Sequence, residues 1–183
     1  LEQHLSIEIE KLHQLIPDII TGFVDGETIE KSVGLLLKQQ QKTLGTAESL
    51  TGGKIASTLV GVEGASNYFK GSIVAYSAAL KKQLLQVDEN LIKKHSVVSQ
   101  EVAKAMAANA RTILNTNYAI AVTGNAGPTT DDNDKEVGLV YIAIASEKET
   151  ICTSYNFGQP REKVILRTVN KSLEMLQKEL LKK

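Results

Sequence analysis

Two nearly continuous apolar runs, residues 118–122 and 137–145, constrain the fold of this chain more than any other feature. A strand that helices cover on both faces is apolar along its whole length, whereas a half-exposed strand alternates apolar and polar residues. The two runs therefore predict central strands of a sheet with a helical layer on each face. Residues 150–157 alternate, which predicts an edge or half-exposed strand.

The other segments alternate between the periods of helix and strand. Strands are predicted at 43–46 and 68–77, and helices at about 28–40, 52–60, 78–85, 100–114 and 161–180, with Thr28 and Ser99 as candidate N-caps. Such alternation is typical of the α/β class. We predict a three-layer α/β/α sandwich with a mixed central sheet.

The length of 183 residues suits one domain with some residues to spare. Residues 5–16 have the pattern of a short amphipathic helix that ends at Pro17, and turn residues follow at 21–26. Because the first residue is Leu1 rather than Met, we interpret 1–27 as a connector helix and linker from an upstream domain. The main domain is then predicted to span 28–183.

Charge and cysteine content narrow the function classes. Lys plus Arg and Asp plus Glu both number 21, so no net charge favours nucleic acid as a partner. No run approaches the roughly 18 apolar residues of a membrane span. The single cysteine, Cys152, excludes an intrachain disulfide, and a chain without one suits a reducing compartment. We therefore expect a soluble, cytoplasmic protein.

The first chemically rich loop is residues 46–54, TAESLTGGK, at a predicted strand-to-helix junction. Free N–H groups at the start of a helix attract phosphates, carboxylates and oxyanions, and Ser49 stands beside them. The spacing matches neither the phosphate-binding GxxxxGK[ST] nor the GxSxG of serine hydrolases. A simple helix cap by Ser49 or Thr51 stays an alternative.

A serine becomes nucleophilic only beside a base. The three histidines lie in the opening segment or in the polar stretch around His95, so lysine is the better candidate. The second loop is the exit of the strand predicted at 68–77. Tyr76 lies at the end of that strand, and Lys81 follows about one helical turn later. A solvated helix face carrying Lys81 and Lys82 is the competing interpretation.

The third loop, residues 123–128 (TGNAGP), follows a predicted buried strand. Its backbone amides could bind a phosphate or an amide carbonyl, although a tight turn explains the sequence as well. The acidic run at 129–136 lacks the spacing of a calcium-binding EF-hand loop, so no metal site is predicted.

Taken together, six ordered motifs identify a family resemblance: TAESxTGG from Thr46, FxGxxxxYSxxxK from Phe69, VS at Val98, GxAGP from Gly124, VG at Val137 and FGxxR from Phe157. Over about 28–183 the chain resembles the CinA C-terminal domain family, the nicotinamide-nucleotide amidases or NMN deamidases. The opening residues are similar to the connector in longer, two-domain competence/damage-inducible CinA proteins.

The resemblance implies hydrolysis of the carboxamide of nicotinamide mononucleotide to nicotinate mononucleotide and ammonia, in pyridine nucleotide recycling. Ser49 is then the nucleophile, Lys81 its base and Tyr76 a supporting hydroxyl. Amides around Thr51, Gly52 and Gly53 form an oxyanion hole or hold phosphate. Other implied substrate contacts are Thr123, Gly124, Asn125, Ala126, Gly127 and, on the phosphate, Arg161. The resemblance implies a homodimer, and it implies no metal or cofactor.

Three departures from the family pattern keep a second function open. The chain has Leu50 where the family usually has Cys, Ala78 where it has Asn, and residues 129–131 (TTD) where it has an acidic, glycine-rich segment. The alternative is a catalytically weak or inactive nucleotide-binding or scaffold domain.

Overall fold

A computed structural model describes residues 28–130 and 136–182. The predicted connector at 1–27 lies outside the described residues. Six helices are described: α1 Ile29–Gln39, α2 Lys54–Val60, α3 Ala78–Leu85, α4 Glu89–His95, α5 Gln100–Ile113 and α6 Arg161–Leu181. The five strands are β1 Leu44–Glu48, β2 Phe69–Val74, β3 Tyr118–Gly124, β4 Leu139–Ala145 and β5 Thr150–Asn156.

The sheet is mixed and has the order β2-β1-β3-β4-β5. Strand β1 pairs in parallel with β2 and β3, whereas β4 runs antiparallel to β3 and β5. The carboxyl ends of β1, β2 and β3 therefore lie at the same edge of the sheet. This arrangement confirms the predicted α/β sandwich with a mixed sheet.

Two apolar clusters cover the two faces of the sheet. One packs α1, α2 and α6 against branched residues such as Ile120, Ile142 and Ile144. The other packs α3 and α5 against alanines of the central strands, among them Ala121 and Ala143. Small side chains on the second face let a helix approach closely. The layer order α/β/α follows.

The sequence predicts a polar connector around His95, but this segment forms helix α4. The helix has no fully buried residue, and its apolar contact with the core consists of the adjacent Leu91 and Ile92, too short a pattern to predict a helix. Its start is fixed by the Asp88 side chain, which accepts a hydrogen bond from Asn90 N at 2.8 Å. Glu89 contacts Lys82 of α3 and Lys93, and these hydrogen bonds and charges lower the pKa of Glu89 to about 2.

Helix α2 begins at Lys54, two residues later than predicted, because both preceding glycines have a left-handed backbone. The φ angles are 59° at Gly52 and 95° at Gly53. L-residues with a Cβ rarely adopt such angles, so the two glycines make the turn that leads from β1 into the helix. Strand β1 in turn extends to Glu48, and Ser49 follows directly.

Candidate active site

The three chemically rich loops meet at the carboxyl edge of the sheet, as ligand sites do in open α/β sheets. They surround a cleft of about 180 Å³. The residues that line it are Ser49, Leu50, Tyr76, Gly124, Asn125, Ala126, Gly127, Thr129 and Arg161. Four elements therefore contribute to one site: the ends of β1, β2 and β3 and the start of α6.

Ser49 and Lys81 are in direct contact beside this cleft. Lys81 Nζ donates to Ser49 Oγ at 2.8 Å and to the carbonyl of Ala75 at 3.1 Å. Only 2% of Lys81 is exposed. The competing interpretation of Lys81 as part of a solvated helix face is therefore wrong, whereas its neighbour Lys82 is indeed exposed. The geometry suits proton transfer between a hydroxyl and an amine.

The turn after Ser49 is organised by a residue that the sequence analysis did not assign to the site. Glu48 is fully buried, and its carboxylate accepts hydrogen bonds from Thr51 Oγ1, Gly53 N, Ile55 N and Ala56 N at 2.7–3.0 Å. An acid directly before a glycine-rich helix start is the signal that could have identified it, because the N-terminal end of a helix carries partial positive charge.

The contacts of Glu48 use several donors of the predicted anion site. The amide of Gly53 binds Glu48, and the amide of Gly52 donates to the carbonyl of Ser49 at 3.0 Å. The hydroxyl of Thr51 is also used by Glu48 and is buried. The hydroxyl of Thr51 and the amides of Gly52 and Gly53 are thus used within the fold, and a role of the amides around Thr51 toward an oxyanion or phosphate stays a prediction.

Arg161, the first residue of α6, bridges two walls of the cleft. Its Nη1 donates to the carbonyl of Gly127 at 2.8 Å, and its Nη2 donates to the hydroxyl of Tyr76 at 2.9 Å. Tyr76 is 56% exposed at the mouth of the cleft. Since a guanidinium has five N–H donors, these two bonds leave donors for a ligand.

The loop after β3 places Gly124, Asn125, Ala126 and Gly127 along the cleft as predicted. A Cβ on Gly124 would come within 2.6 Å of the Leu139 carbonyl, so only glycine fits there. Asn125 is buried, its N donates to Leu139 O, and its side-chain Nδ2 has no acceptor among the residues that the structure describes. Asn125 is therefore a polar group of the wall with unused hydrogen-bonding capacity.

Thr123, another predicted site residue, lies behind the cleft lining. It is buried, and its hydroxyl donates to the carbonyl of Val97 at 2.8 Å. That bond ties the end of β3 to the segment that precedes α5, and Thr123 does not line the cleft.

Two general findings concern the described residues alone. None of their helices has both the length and the apolar character needed to cross a membrane. No three of their His, Cys, Asp or Glu side chains lie close enough together to bind a metal ion. Residues 131–135 of the acidic run lie outside the described ranges.

Comparison with known proteins gives a consistent result. A family model described as CinA C-terminal domain matches residues 26–180. A CinA-like protein of Flavobacterium psychrophilum is 50% identical over 182 residues, which are 100% of this chain and 44% of that protein. The chain thus spans less than half of that relative.

Solved structures agree with the sequence match. The competence or damage-inducible protein from Enterobacter asburiae superposes with a TM-score of 0.81 at 29% identity, covering 83% of this chain and 96% of that one. The competence/damage-inducible protein from Agrobacterium tumefaciens gives 0.78 at 30% identity, covering 88% and 100%.

Proposed function

Because this chain belongs to the CinA C-terminal domain family, we propose that its cleft hydrolyses the carboxamide of nicotinamide mononucleotide, giving nicotinate mononucleotide and ammonia for pyridine nucleotide recycling. The observation that carries the proposal is the 2.8 Å contact between Lys81 Nζ and Ser49 Oγ at the edge of the cleft. A serine and a lysine in contact form the nucleophile and base of known serine–lysine hydrolases.

The first half of the reaction forms an acyl-enzyme. Neutral Lys81 takes the proton of the Ser49 hydroxyl, and the oxygen attacks the carboxamide carbon to give a tetrahedral oxyanion. The C–N bond then breaks, and the lysine ammonium gives its proton to the departing nitrogen, which leaves as ammonia. Burial supports this role because withdrawal from water disfavours the charged form of an amine.

The second half regenerates the serine. A water molecule gives a proton to Lys81 and attacks the ester carbon, and the ester bond to Ser49 breaks. The proton returns to the serine oxygen, and nicotinate mononucleotide leaves. One base thus serves both steps, and no redox change occurs.

Two residues of the cleft wall are suited to bind a nucleotide that carries an amide. Arg161 offers a planar, charged donor set that matches a phosphate. Asn125 Nδ2, which has no acceptor among the described residues, is suited to donate to the oxygen of the carboxamide. Leaving a buried donor without a partner costs about 1–3 kcal/mol, so a substrate that supplies the acceptor gains from this contact. Tyr76, which Arg161 holds at the cleft mouth, is proposed as the supporting hydroxyl.

The test is hydrolysis of nicotinamide mononucleotide by the purified chain, followed as ammonia and nicotinate mononucleotide. We expect turnover by the wild type and losses of at least about 1,000-fold in kcat for Ser49→Ala and Lys81→Met, because both act in the same step. Lys82→Met is the matched control, since Lys82 is adjacent but exposed. Its kcat is expected to stay within about twofold of the wild type.

The alternative, a nucleotide-binding or scaffold domain, predicts a different result. Calorimetry would then detect binding of nicotinamide mononucleotide, while no ammonia would form with the wild type. Equal turnover by the wild type and Lys81→Met would also reject the serine–lysine mechanism.

A further inference from the structure

Glu48 is a fully buried carboxylate that the proposed reaction does not use. One oxygen, Oε2, accepts from Thr51 Oγ1 at 2.7 Å and from Gly53 N and Ile55 N at 3.0 Å each. The other, Oε1, accepts from Ala56 N at 2.8 Å. Both oxygens are thus engaged by the turn after Ser49 and by the first residues of α2.

A charge in this position needs an explanation. Removing a carboxylate from water is costly, and hydrogen bonds from peptide N–H groups at a helix start offset that cost without making the charge an efficient stabiliser. An apolar side chain of similar volume would leave Thr51 Oγ1 and the N–H groups of Gly53, Ile55 and Ala56 without this acceptor, and a buried donor without a partner is costly. The carboxylate therefore supplies the acceptors that these donors need and fixes the geometry of the turn that follows Ser49.

The contacts of Glu48 reach both members of the Ser49–Lys81 pair. Ser49 follows Glu48 directly, and the carboxylate holds the chain that continues beyond the Ser49–Leu50 turn. The backbone carbonyl of Glu48 accepts from Ala75 N at 2.8 Å, and the carbonyl of Ala75 accepts from Lys81 Nζ. The backbone of Glu48 thus lies between the nucleophile and the base, and its carboxylate fixes the turn on the nucleophile side.

We propose that Glu48 is a positioning residue that holds Ser49 Oγ within hydrogen-bond distance of Lys81 Nζ. Its carboxylate accepts from the turn after Ser49 and from the start of α2, and so fixes the chain that follows the nucleophile. The kinetic test of this inference rests on the proposed function, whereas the crystallographic test does not.

The kinetic test uses Glu48→Gln. The side-chain amide keeps the volume but loses an acceptor and turns an NH₂ group toward backbone donors. We expect kcat for nicotinamide mononucleotide to fall about 100-fold with KM within about threefold, because a displacement of about 1 Å costs that much in rate. Ser72→Ala is the matched control, since its hydroxyl lies 3.4 Å from Oε1 and its loss leaves the four short bonds intact.

Thr51→Val is the second variant, and it tests the same inference if Glu48→Gln does not fold. Valine has the shape of threonine but cannot make the 2.7 Å bond to Glu48. We expect kcat to fall about tenfold with KM unchanged, since one of four short contacts is lost. A rise in KM at constant kcat would place Thr51 on the substrate and overturn the inference.

The crystallographic test is independent of turnover. In Glu48→Gln, or in Thr51→Val if the former does not fold, we expect Ser49 Oγ and Lys81 Nζ to separate beyond about 3.5 Å, the limit of a hydrogen bond. An unchanged contact, or a kcat within threefold of the wild type in folded Glu48→Gln, would overturn the inference. If the wild type hydrolyses nothing, the proposed function fails and this distance alone decides the role of Glu48.

Discussion

At the scale of single residues, chemical role depends on orientation rather than on residue type. Lys81 and Lys82 are adjacent, yet Lys81 is buried against Ser49 and Lys82 is exposed and paired with Glu89. Successive residues of a helix point about 100° apart, so one turn of α3 sends the two ammonium groups to different environments. The sequence predicts Lys81 as the base or as part of a solvated face with Lys82, and the helix orientation places Lys81 against Ser49.

Arg161→Lys is expected to weaken the binding of nicotinamide mononucleotide. A lysine cannot bridge Tyr76 and Gly127 while it also binds a phosphate in two-pronged fashion. We expect KM for nicotinamide mononucleotide to rise about tenfold, with a smaller effect on nicotinamide riboside, which lacks the phosphate. Steady-state kinetics with both substrates check this.

The control for that variant is Arg167→Lys, because Arg167 binds the carbonyl of Phe157 and does not line the cleft. Equal losses for the nucleotide and the riboside would argue that Arg161 only braces the cleft walls.

Cys152 is expected to be unreactive at neutral pH. Burial raises the pKa of its thiol to about 11, with Lys104 opposing and Glu101 adding to the shift. Because the ordinary value is 9.0, alkylation by iodoacetamide at pH 8 is expected to be about 100-fold slower in the folded chain than in denaturant. The folded state binds the thiol proton more tightly than the unfolded state does. The stability that this proton contributes is therefore complete below pH 9 and is lost as the pH rises through about 11. Folded and unfolded rates that agree at pH 8 would contradict the shift.

At the scale of elements, helix starts show what a local pattern can and cannot specify. Thr28 and Ser99 both have the residue type of an N-cap. Only the Ser99 hydroxyl makes the cap bond, from Val102 N at 3.3 Å, while Thr28 makes no side-chain cap bond. Helix α4 was not predicted because its start is capped but none of its side chains is fully buried, and only Leu91 and Ile92 pack against the core.

Ser99→Ala is expected to lower the free energy of unfolding by about 1 kcal/mol, because the cap bond at the start of α5 is lost. Thr28→Ala is the matched control, and its effect should be only a few tenths of a kcal/mol, since no such bond exists there. Urea denaturation of both variants measures the difference. Equal destabilisation would show that the residue type, rather than the bond, matters.

At the scale of the whole molecule, the two faces of the sheet differ in side-chain size. Alanines of β1, β3 and β4 face α5, whereas isoleucines and valines face α1 and α6. Met106 of α5 is fully buried on the alanine face, where neighbouring side chains are too small to fill a void.

Met106→Ala is therefore expected to lower the free energy of unfolding by about 2–5 kcal/mol through cavity formation. Ile113→Ala on the same helix is the control, since Ile113 is 41% exposed, and it should cost less than about 1 kcal/mol. Thermal and urea unfolding compare the two, and similar losses would contradict the close packing of α5 on this face.

The sequence by itself determined the class of fold and the three loops that form the cleft. Periodicity is a local property, so continuous apolar runs such as 118–122 predict covered strands without knowledge of their neighbours. The residue types at Ser49, Lys81 and Arg161 were likewise visible in the sequence, as were the glycines that the tight turns require.

Only the tertiary structure decided how these residues are used. Ser49 and Lys81 are 32 residues apart and Arg161 and Tyr76 are 85 apart, so their contacts depend on how the strands are ordered in the sheet. The helix start after Ser49 looked like a site for an external anion, but it binds the carboxylate of Glu48. A local pattern shows which donors exist, whereas the packed fold decides which acceptor reaches them first.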